Sequence, residues 1–358
     1  MKLSRTAQHA LGTLGVAALL AGCSGGTQSS TPTMGMNPAA VGGAHALGAR
    51  GPHATYTSVK APKVHSDKSK SHVSPDAKNA PRLLFVADDG TNDVYIFTMP
   101  AMALKGTLTG LSEPQGMCSD KSGNIWITNT GTQQILQYSR TGTLLNTLSD
   151  SIGFPVGCAI NKATGDLAVT NIFNTSGNGT VAVYPNATGT PTQYSNPSQS
   201  ENFFDAYDGN GNLYVSGEGG AGYSLSVLPS GSSNMTTVSV SGGTLFFPGS
   251  VNWNKNAGLI LGDQECNDAG ASCLYAVTVS GSVATITGST PLTNTDGGGC
   301  DVDQAVISPG GKYYGGGCIS EGSAPSVAAR WAYPAGGAPT NSTTTGISEP
   351  IGAAISNK

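Results

Sequence analysis

The side chains in this sequence that could take part in chemistry are carboxylates, amides and cysteines rather than histidines. All five His, from His9 to His72, precede the long series of short apolar segments that begins at Arg82. Histidine is the commonest general base and a frequent ligand of zinc, copper and iron. We therefore exclude Ser-His-Asp triads, His-assisted lyase chemistry and His-ligated metal sites from residues 82–358.

Acids and amides recur where the expected strands begin or end. Those at strand entries are Glu113, Asp205, Asp301, Asp303 and Glu349, and those at the ends of second strands are Asp88, Asn129, Asn171, Glu218, Asp263 and Glu321. Asp301 and Asp303 alternate with Val302, so a strand directs both carboxyls to one side. Clustered carboxylate and amide oxygens suit a hard cation such as calcium. The alternative is that these residues only cap turns, as Asn and Asp commonly do.

Six cysteines follow Cys23, an even number that export would allow to pair. The predicted disulfides are Cys300 with Cys318 across the Pro309-Gly310 turn, Cys266 with Cys273 on one loop, and Cys118 with Cys158 as the remaining pair. The alternative is buried free thiols. The absence of C-x-x-C spacing argues against a metal cluster.

A repeat of about 40 to 53 residues organises the sequence after residue 81, and such a period is a signature of repeat architectures. Its clearest unit, LSEPQGMCSDKSGNIWITNTGTQQILQYSRTGTLLNTL, contains four short strands separated by Gly, Asn and Ser turns. Four antiparallel strands at this period are typical of a β-propeller blade. Gly is 51 of 358 residues and only 11% are charged, which also favours an all-β chain.

The two ends of the repeat region complement each other. Arg82 to Asp88 matches the second strand of a unit, whereas Ile351 to Ser356 matches a first strand with no second strand after it. Pairing them closes the ring and leaves no open edge. The sequence therefore predicts a six-bladed β-propeller over 81–358, its second strands marked by Leu83, Ile125, Leu167, Leu213, Leu259 and Tyr313. The alternatives are a β-sandwich and an open solenoid.

The FPxG and SGNIWIT segments resemble NHL-type repeats, and the resemblance covers most of Arg82 to Ser356. The chain is also similar to streptogramin lyases, whose activity depends on the His that this region lacks. A further resemblance is to the calcium-dependent lactonases of the gluconolactonase (SMP-30-like) group. It implies a channel metal that polarises a carbonyl, held by Glu113 or Glu349, with Asn129 or Asn171 and Asp301 or Asp263.

The N-terminus looks like a bacterial lipoprotein signal. Lys2 and Arg5 precede an apolar stretch that is too short to span a bilayer, and Leu20-Ala21-Gly22-Cys23 resembles a lipobox. This resemblance implies cleavage of residues 1–22, a lipid on Cys23 and insertion of that lipid in a bilayer. Ser24, which is not Asp, favours the outer membrane, on its periplasmic side or at the cell surface. An ordinary secretory signal with a chance Cys is the alternative.

Residues 23–80 contain few large apolar side chains and are predicted to form a disordered tether. From Arg82 onward we count nine Lys and Arg against nineteen Asp and Glu. This acidic balance makes nucleic acid a poor partner.

Two functional hypotheses follow. The favoured one is a membrane-anchored binding or scaffold module for an extracytoplasmic protein or glycan, with no catalytic residue. The other is a lactonase-like hydrolase that uses a channel calcium ion. The sequence requires no cofactor, and calcium is the one that its acids would suit.

Overall fold

The computed structural model describes residues 71–174, 176–220, 222–266 and 271–358. These residues form β-strands connected by turns, with three short 3-10 helices at Pro75–Asn79, Thr130–Thr132 and Pro185–Ala187. No helix within these ranges has the length and apolar character needed to cross a bilayer. The predicted signal peptide, Cys23 and most of the predicted tether lie outside the described residues.

In chain order, the strands are β1 (His72–Val73), β2 (Arg82–Asp88), β3 (Asp93–Thr98), β4 (Leu104–Leu108), β5 (Pro114–Ser119), β6 (Ile125–Asn129), β7 (Gln134–Tyr138), β8 (Leu144–Ser149), β9 (Gly153–Ile160), β10 (Leu167–Asn174), β11 (Thr180–Tyr184), β12 (Thr192–Tyr194) and β13 (Glu201–Tyr207). The list continues with β14 (Leu213–Gly219), β15 (Gly222–Leu228), β16 (Thr236–Ser241), β17 (Pro248–Asn254), β18 (Gly258–Asp263), β19 (Ser272–Ser280), β20 (Val283–Leu292), β21 (Cys300–Asp301), β22 (Ala305–Ile307), β23 (Tyr313–Ser320), β24 (Val327–Ala332), β25 (Asn341–Thr343) and β26 (Pro350–Asn357).

The strands form four separate blades and one larger sheet. Blade 1 has the order β1-β4-β3-β2-β26, blade 2 is β5 to β8, blade 3 is β9 to β12, and blade 4 contains β21 to β25. The remaining eight strands, β13 to β20, form one sheet, which we call the double sheet. The innermost strands contact one another in the cyclic order β26, β5, β9, β13, β17, β22 and back to β26. This cyclic order gives the propeller-like arrangement.

The predicted six separate blades are therefore not all present as separate sheets. The double sheet consists of two antiparallel four-stranded halves, β13 to β16 and β17 to β20. The outer strands β16 and β20 join them by parallel pairing, with Val240 opposite Ala284. The structure has four single blades and one double sheet, rather than six separate blades, because the outer strands β16 and β20 hydrogen-bond to each other.

The predicted pairing of the two chain ends is present in blade 1. Strands β2 and β26 are antiparallel, with Phe85 opposite Ala354 and Val86 opposite Ala353. The folded part begins before the predicted boundary at residue 81, because β1 pairs with β4 and Ala77 is buried in the core between blades 1 and 2. Residues 72–79, assigned from the sequence to the tether, thus belong to the sheet and its core.

The repeated E/F-P-x-G sequence explains how the inner strands pack together. Its glycine lies where the next inner strand passes very close: a Cβ on Gly352 would collide with the Gln115 carbonyl, and one on Gly116 with the Val156 carbonyl. Its proline occupies the first position of the inner strand or a bulge, where no ladder N–H is required. The motif therefore sets the spacing around the ring.

Candidate functional site

The ring has two chemically different sides. We call the acidic face the side at which the inner strands begin and the second strands end, and the basic face the opposite side. The acids at the acidic face are Asp88, Asp89, Asp93, Glu113, Asp150, Glu201, Glu218, Asp263, Glu265, Asp296, Asp301, Asp303, Glu321 and Glu349. Among the described residues from 82 onward, no lysine or arginine lies in the loops of the acidic face.

The basic residues occupy the turns and strand ends of the other side. Lys121, Lys162, Lys255 and Lys312 lie in turns between first and second strands, Arg140 lies in the turn between β7 and β8, and Arg82, Lys105, Arg330 and Lys358 lie toward the same side. Arg330 stacks on Tyr313, 3.5 Å from the ring centroid. Asp120, Asp166 and Asp208 also lie on that side, so the basic face carries both signs of charge. The acidic face carries acids without described bases and presents an attractive potential to cations.

Part of the predicted ligand set is hydrogen-bonded within the fold. Asp88 Oδ2 accepts hydrogen bonds from the Ser348 and Glu349 N–H groups at 2.8 and 3.0 Å, and its Oδ1 accepts from Thr91. Asp263 accepts in the same way from the Phe246 and Phe247 N–H groups, both at 2.9 Å. Each carboxylate fixes the loop that leads into its own inner strand.

The two candidate asparagines are also hydrogen-bonded to loops that lead into inner strands. Asn129 Oδ1 accepts from the Ser112 N–H at 2.8 Å, and Asn171 Nδ2 donates to Asp150 Oδ2 at 3.0 Å. Both side chains are buried. Asn129, Asn171 and Asp263 therefore behave as loop caps, which was the alternative use expected from their types.

The structure brings four acids together where blade 4 meets blade 1. Asp301 ends β21, Asp303 lies between β21 and β22, Asp89 follows β2, and Glu349 precedes β26. Asp303 is 1% exposed, and burial followed by the charges of Asp301, Glu349 and Asp89 raises its pKa well above the ordinary value. We call these four residues the carboxylate cluster.

A second group of acids continues along the acidic face beside the double sheet. Burial and then the charges of Glu201 and Glu265 raise the pKa of Glu218 to about 7. Burial followed by the charges of Asp263 and Glu321 raises the pKa of Glu265. We call Glu201, Glu218, Glu265 and Glu321 the acidic arc. Glu218 and Glu321 were expected at this face, whereas Glu201 and Glu265 were missed; Glu201 could have been found because, like Glu113, it stands at an inner-strand entry.

Two predicted residues remain apart from these groups. Asp205 lies within β13, 5% exposed, with neither carboxyl oxygen hydrogen-bonded to the described protein, and burial raises its pKa well above the ordinary value. The Glu113 N–H donates to Asn92 Oδ1 at 2.6 Å, and Glu113 has a left-handed φ of 49°. Asp205 is a buried group of the double sheet, and Glu113 is part of a tight turn before β5.

Inner-strand amides form a feature that the sequence did not indicate. The Gln304 Oε1 accepts from the N–H groups of Met117 and Ala353 at 2.9 and 2.8 Å, and its Nε2 donates to the Met117 carbonyl at 3.0 Å. One side chain therefore connects the inner strands of blades 4, 1 and 2. Gln115 and Asn202, each 1% exposed, have amide atoms that no described group satisfies.

Aromatic side chains accompany the acids on the double-sheet side of the acidic face. Phe246 is 51% exposed in the loop before β17, and Ile152 is 41% exposed in the loop before β9. Phe154 and Phe173 pack with ring centroids 4.7 Å apart. An exposed aromatic side chain next to carboxylates is typical of a recognition surface.

A cavity of about 400 Å³ lies at the β14–β15 and β16–β17 connections. Hydroxyl groups of Ser198, Tyr223, Thr237 and Thr244 are among its lining groups, and none of the described residues that line it is charged. The cavity begins at Gly219, next to Glu218 of the acidic arc. It can hold a neutral part of a ligand, whereas the arc attracts a cationic part.

All three predicted disulfides are present. Cys118–Cys158 joins the inner strands of blades 2 and 3, Cys300–Cys318 joins β21 to β23, and Cys266–Cys273 closes a short loop. The three Cα separations lie between 5.3 and 5.6 Å, which is usual for a disulfide. The strands that support the acidic face are thus cross-linked by disulfides.

The lactonase hypothesis requires Glu, Asn and Asp oxygens to converge on one ion. Within the described parts of the chain, no three His, Cys, Asp or Glu side chains are arranged to hold a metal ion. Of the amide ligands that the hypothesis names, Asn129 accepts from the Ser112 N–H with its Oδ1, whereas Asn171 donates to Asp150 through Nδ2 and its Oδ1 has no hydrogen-bond partner among the described residues.

No protein-family model and no curated protein sequence matches the chain. Solved structures do resemble it. A nidogen/laminin complex structure has a chain with TM-score 0.55 and 11% identity, covering 77% of this chain and 98% of that one. TolB from Acinetobacter baumannii has TM-score 0.56 and 11% identity, covering 78% and 67%. A Bacteroides caccae protein of unknown function has TM-score 0.55 and 14% identity, covering 78% and 100%. At these identities the likeness shows the fold alone, which is a β-propeller.

Proposed function

We propose that this protein is an exported lipoprotein whose β-propeller is a binding or scaffold module for an extracytoplasmic protein or glycan, with the acidic face as its ligand surface. The one-sided charge of the acidic face, which carries acids without described bases, carries this proposal. A ring that served only as a spacer has no need for one-sided charge. One-sided charge steers an oppositely charged partner to one orientation.

The six-blade interpretation belongs to this proposal. The two halves of the double sheet each follow the blade pattern, and their inner strands β13 and β17 take successive places in the ring. We therefore regard them as two blades joined at their outer strands. The NHL-like repeat in the sequence supports the same interpretation.

Fold neighbours are compatible with a binding role. One of them is a component of a nidogen/laminin complex, which is an assembly between proteins. A propeller supplies a rigid frame whose loops vary independently, so ligand surfaces commonly form on those loops. The acidic charge makes nucleic acid an unsuitable partner for this surface.

The proposed anchor is the lipid on Cys23, inserted in the outer membrane. Replacing Cys23→Ser is expected to release the protein from the membrane fraction, and Ser24→Asp is expected to move it from the outer to the inner membrane fraction. Cell fractionation with immunodetection measures both. Membrane association unchanged by Cys23→Ser would contradict the lipid anchor without affecting the ligand surface.

Site-specific photo-crosslinking in intact cells tests the ligand surface. A photoreactive residue at Phe246 reports on the acidic face, and one at Leu145 near the basic face is the matched control because both side chains are 51% exposed. The proposal predicts a discrete adduct from position 246 and none from position 145. Adducts of equal yield from both positions, or none from 246, would refute the acidic face as the binding surface.

A further inference from the structure

The carboxylate cluster contains a side chain that the protein itself does not satisfy. Asp303 is 1% exposed, and neither of its carboxyl oxygens has a hydrogen-bond partner among the described residues. Asp301, two residues earlier, is 6% exposed. Burying the Asp303 carboxyl beside another acid is costly unless a positive charge or hydrogen-bond donors reach it.

The cluster joins residues from loops of two sheets. Asp303 interacts electrostatically with Glu349 and Asp89, which stand in the loops before β26 and after β2. Glu349 and Asp89 are partly exposed. Asp303 therefore lies at the junction of blades 4 and 1 on the acidic face, and two of the acids that interact with it stand in partly exposed loop positions.

The arrangement favours an organic cation over a single metal ion. Its four carboxyls come from separate positions in two sheets, and within the described residues no three of them are arranged for one metal. A guanidinium group has five N–H donors in a planar fork, so it can bond to several separated carboxylates at once. The acidic arc and the exposed Phe246 extend the same surface, which suits basic and apolar residues that flank an arginine.

We propose that the carboxylate cluster receives an arginine side chain of a basic polypeptide partner, while the acidic arc binds the basic residues that flank it. This inference rests on the proposed function, in that it names the partner class for the acidic face. Asp303 and Asp301 form the buried end of the site, and Glu349 and Asp89 form its rim. The arginine side chain binds as a cation through noncovalent contacts, so no covalent bond is formed or broken.

The probe for this site is a short synthetic peptide with one central arginine flanked by lysine and phenylalanine. Its matched control carries citrulline in place of the arginine, which keeps the shape and removes the charge. Isothermal titration calorimetry with the whole protein at low and physiological salt measures binding. We expect saturable binding of the arginine peptide, at least tenfold weaker binding of the citrulline peptide, and affinity that falls as salt rises.

Variants locate the site. Asp303→Asn and Glu349→Gln are each expected to weaken arginine-peptide binding at least fivefold, whereas Asp208→Asn on the basic face leaves it unchanged. Circular dichroism and the melting temperature check that each variant folds, and the partly exposed Glu349 provides a variant that does not disturb the core. Equal binding of the two peptides, or unchanged binding by both cluster variants, would overturn the inference.

The same titration separates this inference from the broader proposal. Calcium that bound the cluster stoichiometrically and displaced the peptide would overturn the inference in favour of a metal site. If the peptide experiment fails while crosslinking at Phe246 still yields its adduct, only the arginine inference is refuted. If that adduct is also missing, the proposed function is refuted as well.

Discussion

Asp88 Oδ2 accepts a hydrogen bond from the Ser348 N–H at 2.8 Å, although the two residues are 260 positions apart. The bond joins the first long strand of the folded part to the loop before the last strand. Together with the pairing of β2 and β26, it closes the ring. The closure brings Asp89 and Glu349 beside Asp303, so the carboxylate cluster exists only because the chain ends meet in one blade.

Replacing Asp88→Ala is expected to destabilise the protein by about 2–4 kcal/mol. The change leaves the N–H groups of Thr91, Ser348 and Glu349 without their acceptor, and each unsatisfied buried group costs roughly 1–3 kcal/mol before the loop relaxes. Urea unfolding measures the free energy. Asp88→Asn keeps one acceptor oxygen and should lose less; an alanine variant as stable as the wild type would refute the closing role.

Gln304→Met is expected to cost about 2–4 kcal/mol, because it removes the acceptor of the Met117 and Ala353 N–H groups from the centre of the ring. Gln115→Met is the matched control. Gln115 is also buried, 1% exposed against 9% for Gln304, but its amide atoms have no partner among the described residues, so its loss should cost less than 1 kcal/mol or stabilise the protein. Equal effects in thermal or chemical unfolding would show that Gln304 does not tie the inner strands.

Glu218 makes stability depend on pH. Its pKa is about 7 in the folded protein against an ordinary 4.5, so between these values the folded state holds more protons than the unfolded state. The stabilisation that proton binding to Glu218 gives the folded state is therefore complete below about pH 4.5 and is lost as the pH rises toward 7. Above pH 7 the free energy of unfolding no longer changes with the charge of Glu218. Glu218→Gln should stabilise the protein relative to the wild type at pH 8 and make no difference at pH 4. Unfolding curves at the two pH values measure this, and an equal difference at both would disprove it.

The disulfides are expected to contribute in the order of the loops that they close. Chain-entropy estimates are about 4 kcal/mol for Cys118–Cys158, about 3 for Cys300–Cys318 and about 2.4 for Cys266–Cys273, whose separations are 40, 18 and 7 residues. Paired Cys→Ser variants, compared by denaturant unfolding under non-reducing conditions, should follow this order. The largest loss on removing Cys266–Cys273 would contradict it.

Local patterns predicted much of the frame. The alternation and turn residues around Arg82–Asp88 and Gln134–Tyr138 marked those strands. The turn between Cys300 and Cys318 indicated their disulfide, and Cys118–Cys158 followed as the remaining pair. The parallel pairing of β16 with β20 was not predictable, because it depends on how two outer strands lie in space. The alternation of residues along an outer strand is the same whether its edge is free or paired with another strand.

The site was predicted less completely than the frame, for a related reason. Position in the repeat placed Asp301, Asp303 and Glu349 on the side of the ring where the structure has them, but could not distinguish them from Asp263, whose oxygens accept from Phe246 and Phe247. Whether a carboxylate caps its own loop or points to a neighbour depends on distances of a few ångströms. Gln304 lies in the irregular segment between β21 and β22 and has no pattern that would indicate its contacts across the ring.

The most direct test of the acidic face as the functional surface combines in-cell crosslinking with charge removal. The photoreactive residue at position 246 is placed in a chain carrying Glu201→Gln, Glu218→Gln and Glu265→Gln, and in a second chain carrying Asp120→Asn, Asp166→Asn and Asp208→Asn on the basic face. Both chains lose three acids, so net charge is matched. We predict that the adduct yield falls at least fivefold in the first chain and is unchanged in the second; equal yields in the two chains would contradict the account.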